Sequence, residues 1–581
     1  MFKSTLQNKI WNNEKTKEAE AEAERSKIQE EELFDTKVDR QTSVTSESSL
    51  SQDNSSVDVG HTQRKLYNRH LQLIAIGGSI GTGLFVTIGT TGLTVGGPLG
   101  LLLSYCLSTL LTLLLTSAVG EMVSYMPVDS PFLNMAGRVI DPAFEAAASV
   151  NFWVMQSLYI PFEITAVNGM IHFWREDYSP AITFCIQIAI YAAINLYAVR
   201  IFGECEFWFS LAKLILCVGL LFFTLITMCG GNPKHDAFGF RNWHAAGGPI
   251  ATLYTTGSLG RFQGFLGSFR WSSSFTCVGS EYLGMTAGEC INPRHNLPIA
   301  FRTVLYRLVL FYIGGALSVS ILVAYNDPRY LELTSDTSNA ASSPYVVAMQ
   351  NLGIKVLPHI VNAVILTSAF SAGCSYTYTS SRCLYNLAKK GFVPRLFKKC
   401  SSHGVPIFCV GLSICFSLLS LMQLGDSGSK VLNYMVNLCT GAQILNYAFM
   451  SITYIGFYHA CKAQNIDRHE FTYRAWFQPY SIYFVCFMYC CLVGILGYDV
   501  FMPGKWSVDT FLYNYIMVFV SLAVFIAWKL FKRTKFIRPI DADLKTGLEE
   551  IERHEYEYYE QLEQSSHKPV NKFQSILHWI F

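Results

Sequence analysis

The chain has 581 residues, of which 51% are hydrophobic and 15% charged, with a formal net charge of +2. A soluble chain of this length would divide into several domains with charged surfaces. Here the charge sits mainly at the two ends of an almost continuously apolar middle, so a bilayer is its natural solvent. No basic, aromatic-interleaved domain appears, and no nucleic-acid partner is expected.

Residues 1–65 read as a polar cytoplasmic tail. Glu14 to Glu32 is mostly Glu, Ala, Lys and Arg, and Thr42 to Ser56 is rich in Ser and Thr, a composition that favours disorder. Nothing here has the apolar core of a cleavable signal peptide. The sequon Asn54-Ser55-Ser56 falls in this tail and would go unused in the cytoplasm.

A single transporter-like domain is expected over 66–531. Apolar runs recur there, each near the roughly 20 residues that span about 30 Å of hydrocarbon. The expected spans are 71–94, 98–124, 146–173, 181–199, 207–229, 263–288, 301–324, 355–387, 405–423, 432–457, 480–500 and 511–530. This is an all-α polytopic membrane protein of about twelve transmembrane helices. Lys and Arg set its orientation. Arg64, Lys65 and Arg69 precede the first span. Lys389, Lys390, Arg395, Lys398 and Lys399 follow the eighth, and Lys529, Lys532, Arg533, Lys535 and Arg538 follow the last. With twelve spans all three clusters fall on one side, so both termini are expected in the cytoplasm. In the C-terminal tail, 532–581, Leu548 to Glu563 reads as a surface helix, and Phe573 to Phe581 as a segment packing on the body or the membrane interface.

The seventeen cysteines lie mostly within apolar runs (Cys106, Cys185, Cys217, Cys409), where cysteine acts as a small buried hydrophobe. Neither disulfides nor a metal site is expected, and no cofactor.

Chemistry concentrates at two interruptions. The first span contains Gly77-Gly78-Ser79-Ile80-Gly81-Thr82-Gly83. Four glycines each weaken a helix by about 1 kcal/mol. In lipid an opened backbone must be buried in protein or line a polar cavity. Free N–H groups at the second half-helix suit a carboxylate, carbonyls at the end of the first suit an ammonium, and Ser79 and Thr82 add hydroxyls. Spacing alone leaves this reading level with close helix packing, because Gly77 and Gly81 also fit GxxxG. The sixth span carries the second interruption, Ser272 to Tyr282, with Phe275, Gly279, Ser280 and Glu281. Two broken helices five spans apart are the product of an inverted repeat, and the pairing favours the opened backbone.

Charges within spans are costly and face a cavity or a partner. Glu163 lies mid-span in the third helix, Glu281 in the sixth and Lys213 in the fifth. For each the alternative is a structural pair. Glu121, near the cytoplasmic end of the second span, either reaches the interface or is a proton-coupling candidate. Glu204 and Glu206 read as acids at a helix start. No P-loop or HExxH motif occurs, and the GxSxG letters of Gly77–Gly81 lie inside a span, not on the strand a nucleophile elbow needs. An enzyme, an ATP-driven pump and an ion channel are all disfavoured.

The stretch His70 to Phe85, Gly120-Glu121-Met122, Gly203-Glu204 with Glu206-Phe207-Trp208, Gly279-Ser280-Glu281, Thr286-Ala287-Gly288-Glu289, Asn292-Pro293 and Gly404-Val405-Pro406 resemble the fungal amino acid permeases (YAT) of the amino acid–polyamine–organocation superfamily, from about Arg64 to Arg538. Asn151-Phe152-Trp153, Ile160 to Ile164 and Gly230-Gly231-Asn232-Pro233 resemble its broad-range branch, linked to carnitine uptake and to control of polyamine uptake. Where the basic amino acid permeases carry a small hydroxyl residue in the tenth helix, this chain has Cys439. The resemblance implies a LeuT-like five-plus-five inverted repeat plus two helices, and a plasma-membrane proton symporter working by alternating access. It also implies that the first-helix backbone around Gly81 and Gly83 holds a carboxylate. Carbonyls near Phe275 would hold the amine, Phe275 would gate the site, and Lys213 would serve coupling. Expected substrates are amino acids or related zwitterions and amines, carnitine and polyamines among them. The alternative is a transporter-like receptor that senses such solutes. Ubiquitin ligase adaptors and kinases are the partners expected for the tails.

Overall fold

The computed structural model describes Leu66 and the chain from Leu71 to Ser565. It leaves out 74–77, 79, 176, 198, 245–246, 277–278, 336–342, 402–403 and 425–427, together with the side chains of 199–201, 275–276, 305, 333–335, 423, 428–433 and 561–565. The N-terminal tail, its sequon and Phe573–Phe581 lie outside the described residues.

Helical residues lie under each of the twelve expected spans. A wide-turned helix, α1 (Gly83–Leu93), runs into α2 (Thr94–Tyr125). Next come α3 (Pro131–Val139), α4 (Pro142–Ile171), α5 (Pro180–Tyr197) and α6 (Val199–Met228). α7 (Gly257–Trp271) and α8 (Ser280–Met285) flank a wide turn at Ser272–Thr276. α9 (Pro293–Arg307) continues through another wide turn into α10 (Gly314–Leu322). α11 (Pro328–Ser335) and α12 (Pro344–Asn351) are short. α13 (Leu357–Lys389), α14 (Ile407–Phe416), α15 (Gly428–Ala463), α16 (Tyr480–Gly494), α17 (Val508–Lys532) and α18 (Leu548–Ser565) complete the order.

Among the described residues, six helical stretches are long and apolar enough to cross a membrane: Gly83–Tyr125, Pro180–Tyr197, Phe202–Met228, Pro293–Leu322, Leu357–Lys389 and Val508–Lys532. The first, 43 residues long, contains a kink. Gly97, at φ +70, turns the chain there, and Pro98 starts the next helix. Leu99 N–H donates to Pro249 O at 2.8 Å, and Ala251 N–H to Gly96 O at 3.1 Å. A Cβ on Gly97 would stand 2.6 Å from Ala251 N, so only glycine suits both the conformation and the close approach.

α4 is absent from those six because it is polar for a reason. Asp141 caps it, accepting from Ala143 N–H at 2.7 Å, and Pro142 occupies the first turn. It then carries Asn151, Gln156, Glu163 and Asn168, all buried. It packs against α3, α13, α15 and α17, so protein rather than lipid surrounds it. Hydroxyls stitch the core: Ser157 to Ser380 at 2.7 Å, Ser380 to Ser413 at 2.9 Å, and Ser108 to Ser272 and Ser273 at 2.7 and 2.8 Å.

The segment after α17 straps the loops that the charge pattern assigns to the cytoplasm. Gln464 donates to Ala542 O at 2.7 Å, Tyr125 to Leu544 O at 3.2 Å and Arg138 to Thr546 O at 2.8 Å. α18 buries Ile551 and aims Glu552 and Glu555 at Arg294, at 3.5 and 3.6 Å. Leu548 onward is thus a docked helix rather than a free surface one. Partial burial pushes the Asp543 carboxyl up, but hydrogen bonds from Thr546 and Lys545 and the Arg138 charge outweigh it and hold it below its usual value. A depressed carboxyl contributes stability above its unfolded value of about 3.9 and loses it as pH falls through the folded value. At neutral pH, Arg294→Glu should make the C-terminal helix several-fold more susceptible to limited proteolysis, and adding Glu552→Arg with Glu555→Arg should restore protection.

Candidate functional site

Glu163 is the centre of the site. It lies two residues after Pro161 in α4, fully buried. Thr82, at the opening of the first helix, donates to its Oε1 at 3.0 Å. Gly81 passes so close that a Cβ there would lie 2.8 Å from the same oxygen and 3.0 Å from Ala372 Cβ. Among the described residues, Glu163 Oε2 is buried with no hydrogen-bond partner. A buried acceptor left unpaired costs about 1–3 kcal/mol, more when charged. It therefore marks the place where a donor or a cation fits.

The opened backbone beside it is held by hydroxyls from other helices. Tyr376 donates to Gly78 O at 3.5 Å, Ser368 to Ile80 O at 3.1 Å and Ser343 to Phe85 O at 2.6 Å. Gly83 O accepts from Thr87 at 3.2 Å. The Tyr282 ring stands over Gly78, where a Cβ would meet it at 2.8 Å. Tyr282, Tyr376 and Tyr159 form an aromatic wall, with ring centroids 5.9 Å and 4.8 Å apart in sequence.

The second carboxylate behaves differently. Glu281 Oε2 accepts from Gly279 N–H at 3.4 Å and Ser280 Oγ at 3.3 Å, and its Oε1 accepts from Gln443 at 2.6 Å. Tyr159 donates to Gln443 Oε1 at 3.4 Å, which closes a chain from α4 through α15 to α8. Glu281 is fully bonded and Glu163 half-bonded. Cys439 is fully buried one helical turn before Gln443.

Lys213 and Glu206 form a third group. Both are buried, with Nζ 3.9 Å from Oε1. Glu206 also accepts from Ser371 at 2.9 Å and Ser210 at 3.4 Å. Sequence reading had put Glu206 at a helix start. Instead it lies inside α6 (Val199–Met228), seven residues before Lys213 and on the same face. Glu163 lies within electrostatic reach of Lys213.

The structure thus brings together Gly81, Thr82, Glu163 and, through the tyrosine wall, Gly279, Ser280 and Glu281. Ser79 and the Phe275 side chain lie outside the described residues, though the Phe275 backbone falls in the wide turn. Glu121 is elsewhere. Arg468 grips it with two bonds at 2.6 and 2.7 Å, and Ala475 N–H donates to it at 2.6 Å. Trp153 packs edge-on against Phe416 at 5.6 Å, and the tyrosine wall is the aromatic surface by Glu163. Gln443, Ser343, Ser368 and the three tyrosines are given no role by the sequence, and Glu206 is given one only as an acid at a helix start. The seven-residue interval between Glu206 and Lys213 was a usable signal; the others join distant segments.

A bundle of apolar helices around a polar interior is the architecture of a multi-span membrane protein. Residues 70–539 match the family model described as amino acid permease. The general amino acid permease AGP2 of Saccharomyces cerevisiae is 43% identical over 505 residues, covering 85% of this chain and 84% of that one. The dicarboxylic amino acid permease of the same yeast is 39% identical, covering 85% and 81%. A proline-specific permease of Emericella nidulans is 36% identical, covering 85% and 90%. The chain belongs to the amino acid permease family, whose members are transporters embedded in membranes.

Two outcomes follow for variants. Arg468→Ala strands the buried Glu121 carboxylate, and stranding one member of such a pair costs about 3–5 kcal/mol. The melting temperature of the purified protein should fall by several degrees, and Glu121→Gln with Arg468→Met should recover part of it. Gly81→Ala should displace the Glu163 carboxylate and abolish uptake while leaving the amount of protein at the cell surface near normal.

Proposed function

We propose that this chain imports amino acids, or related zwitterions, across the plasma membrane in symport with protons. In this reading twelve spans form a five-plus-five inverted repeat plus two helices, with both termini in the cytoplasm. Alternating access is the mode of work. The observation that carries the reading is Glu163: buried, held at the opened helix by Thr82, with one oxygen unpaired among the described residues. The substrate carboxylate meets N–H groups and hydroxyls of the stretch 77–83, including Ser79, Thr82 and Gly83. The cationic end meets Glu163, with Phe275 and Cys439 bordering it. Gly279, Ser280 and Glu281 shape the opposite wall.

The named relatives support the zwitterionic head group as the shared feature. Their names span dicarboxylic amino acids, proline and lysine, whose side chains differ in charge while the α-carboxylate and amine stay. Carnitine keeps the carboxylate, but its quaternary ammonium cannot donate hydrogen bonds. For carnitine, and for the polyamines, the faces of Tyr159, Tyr282 and Tyr376 near Glu163 are the fitting surface.

The buried Lys213–Glu206 pair supports proton coupling, since a buried amine beside a carboxylate redistributes charge when one proton is added or lost. Glu121 is the second coupling candidate in this reading, with its carboxylate bonded by Arg468 and Ala475 N–H.

Labelled L-proline, L-lysine, L-glutamate, carnitine and spermidine, offered at two external pH values to cells lacking related permeases, test this. At least one should accumulate, faster at the lower pH. Glu163→Gln should reduce that uptake more than tenfold, and Lys213→Met should make the residual rate independent of pH. Unchanged uptake and unchanged pH dependence in Glu163→Gln would refute the assignment.

A further inference from the structure

We infer that the chain holds a second, outer site at which a zwitterion docks before it reaches the central one. It is built on the ion pair Arg270–Asp499 and rests on the transport reading above.

A cavity of about 180 Å3 lies between the two interrupted helices and the loop after α16. Thr90 and Thr91 of α1, Arg270 of α7, Asn437 of α15, Tyr254 and Asp499 line it. Its position ties it to the central site. Arg270 stands five residues before Phe275 in the sixth span, and Asn437 two residues before Cys439. On the twelve-span orientation it opens to the outside.

Its charges match an α-amino acid. Arg270 Nη1 is 3.5 Å from Asp499 Oδ1, and both side chains are about one-fifth exposed, at 20% and 22%. Arg270 also donates to Leu496 O. Tyr254 donates to Asp499 Oδ2 at 3.3 Å, and Lys505 stands 3.4 Å from the Tyr254 ring centroid. A pair that retains contact with water is held weakly. An arriving zwitterion exchanges partners with it. Its carboxylate takes the Arg270 guanidinium, whose planar fork accepts a carboxylate on two N–H groups. Its ammonium takes Asp499. One pair opens and two form, so no charge enters the membrane unpaired. Thr90 and Thr91 complete the lining, their hydroxyls donating to Thr87 O. A solute with only one of the two charges leaves either Arg270 or Asp499 without a partner, so the vestibule selects for zwitterions ahead of the centre.

The bland account of the same pair is a brace that pins the loop after α16 to α7. The two accounts part in binding stoichiometry and kinetics. The full chain in lipid nanodiscs is titrated with radiolabelled L-proline, L-lysine and L-glutamate in turn, alongside uptake in cells. The unsubstituted chain should fill two sites per chain with at least one of them. Arg270→Gln and Asp499→Asn should each remove one site and raise half-saturation of uptake about tenfold, with maximal rate within about twofold. The exchange Arg270→Asp with Asp499→Arg should recover the second site. One site per chain in all forms overturns the outer site and leaves the central one standing. A lowered melting temperature and a lower maximal rate, with stoichiometry unchanged, identify a brace and also overturn it. No saturable binding by the unsubstituted chain removes the transport reading and this site with it.

Discussion

A backbone polar group inside a membrane must be bonded within the protein, because no water is present to take its place. Among the described residues, Gly78, Ile80 and Gly81 stand outside any helix just ahead of α1, and much of the interior answers that break. Tyr376, Ser368 and Ser343 hold the carbonyls of Gly78, Ile80 and Phe85. Two of those three sit on α13, the helix that packs most extensively on α4. The polar helices are therefore central and the apolar ones peripheral. α17 and α5 bury little of their surface, while α4, with its carboxylates and amides, is enclosed on several sides.

The same constraint sorts the buried charges. Glu121 and Glu289 are each gripped by an arginine, and Arg382 over the Tyr378 ring adds a cation–π contact to the second pair. Glu281 is bonded on both oxygens. Only partial bonding reaches Glu163. Fully bonded groups rigidify, since moving them forfeits several bonds at once. A half-bonded group is available to a ligand. Glu281 and Glu163 thus differ in bonding, though the two carboxylates look alike in sequence, and the proposed transport reading rests on that difference.

Periodicity and composition made the helices and their approximate limits legible, because twenty apolar residues in a row have few other uses. The glycine run and the polar stretch at Ser272 announced both interruptions. Placing Glu163 beside the first helix needed more, since Thr82 and Glu163 are 81 residues apart and nothing local links them. The Glu121–Arg468 pair spans 347 residues and was read as a coupling candidate for want of its partner. The hydroxyls on α13 were invisible for a related reason. A serine in a helix signals neither packing nor catalysis until the carbonyl it caps is known. Glu206 was misplaced because the helix start was drawn at 207, one residue after it, while the helix begins at Val199.

The central claim is that Glu163 and the opened first helix form a transport site. Purified chain in proteoliposomes, given an inward proton gradient and labelled L-proline, L-lysine or L-glutamate, tests it most directly. The account predicts accumulation of at least one above its external concentration, collapse of that accumulation by a protonophore, and its loss in Glu163→Gln. Saturable binding without accumulation would contradict it and point instead to a receptor built on a transporter fold.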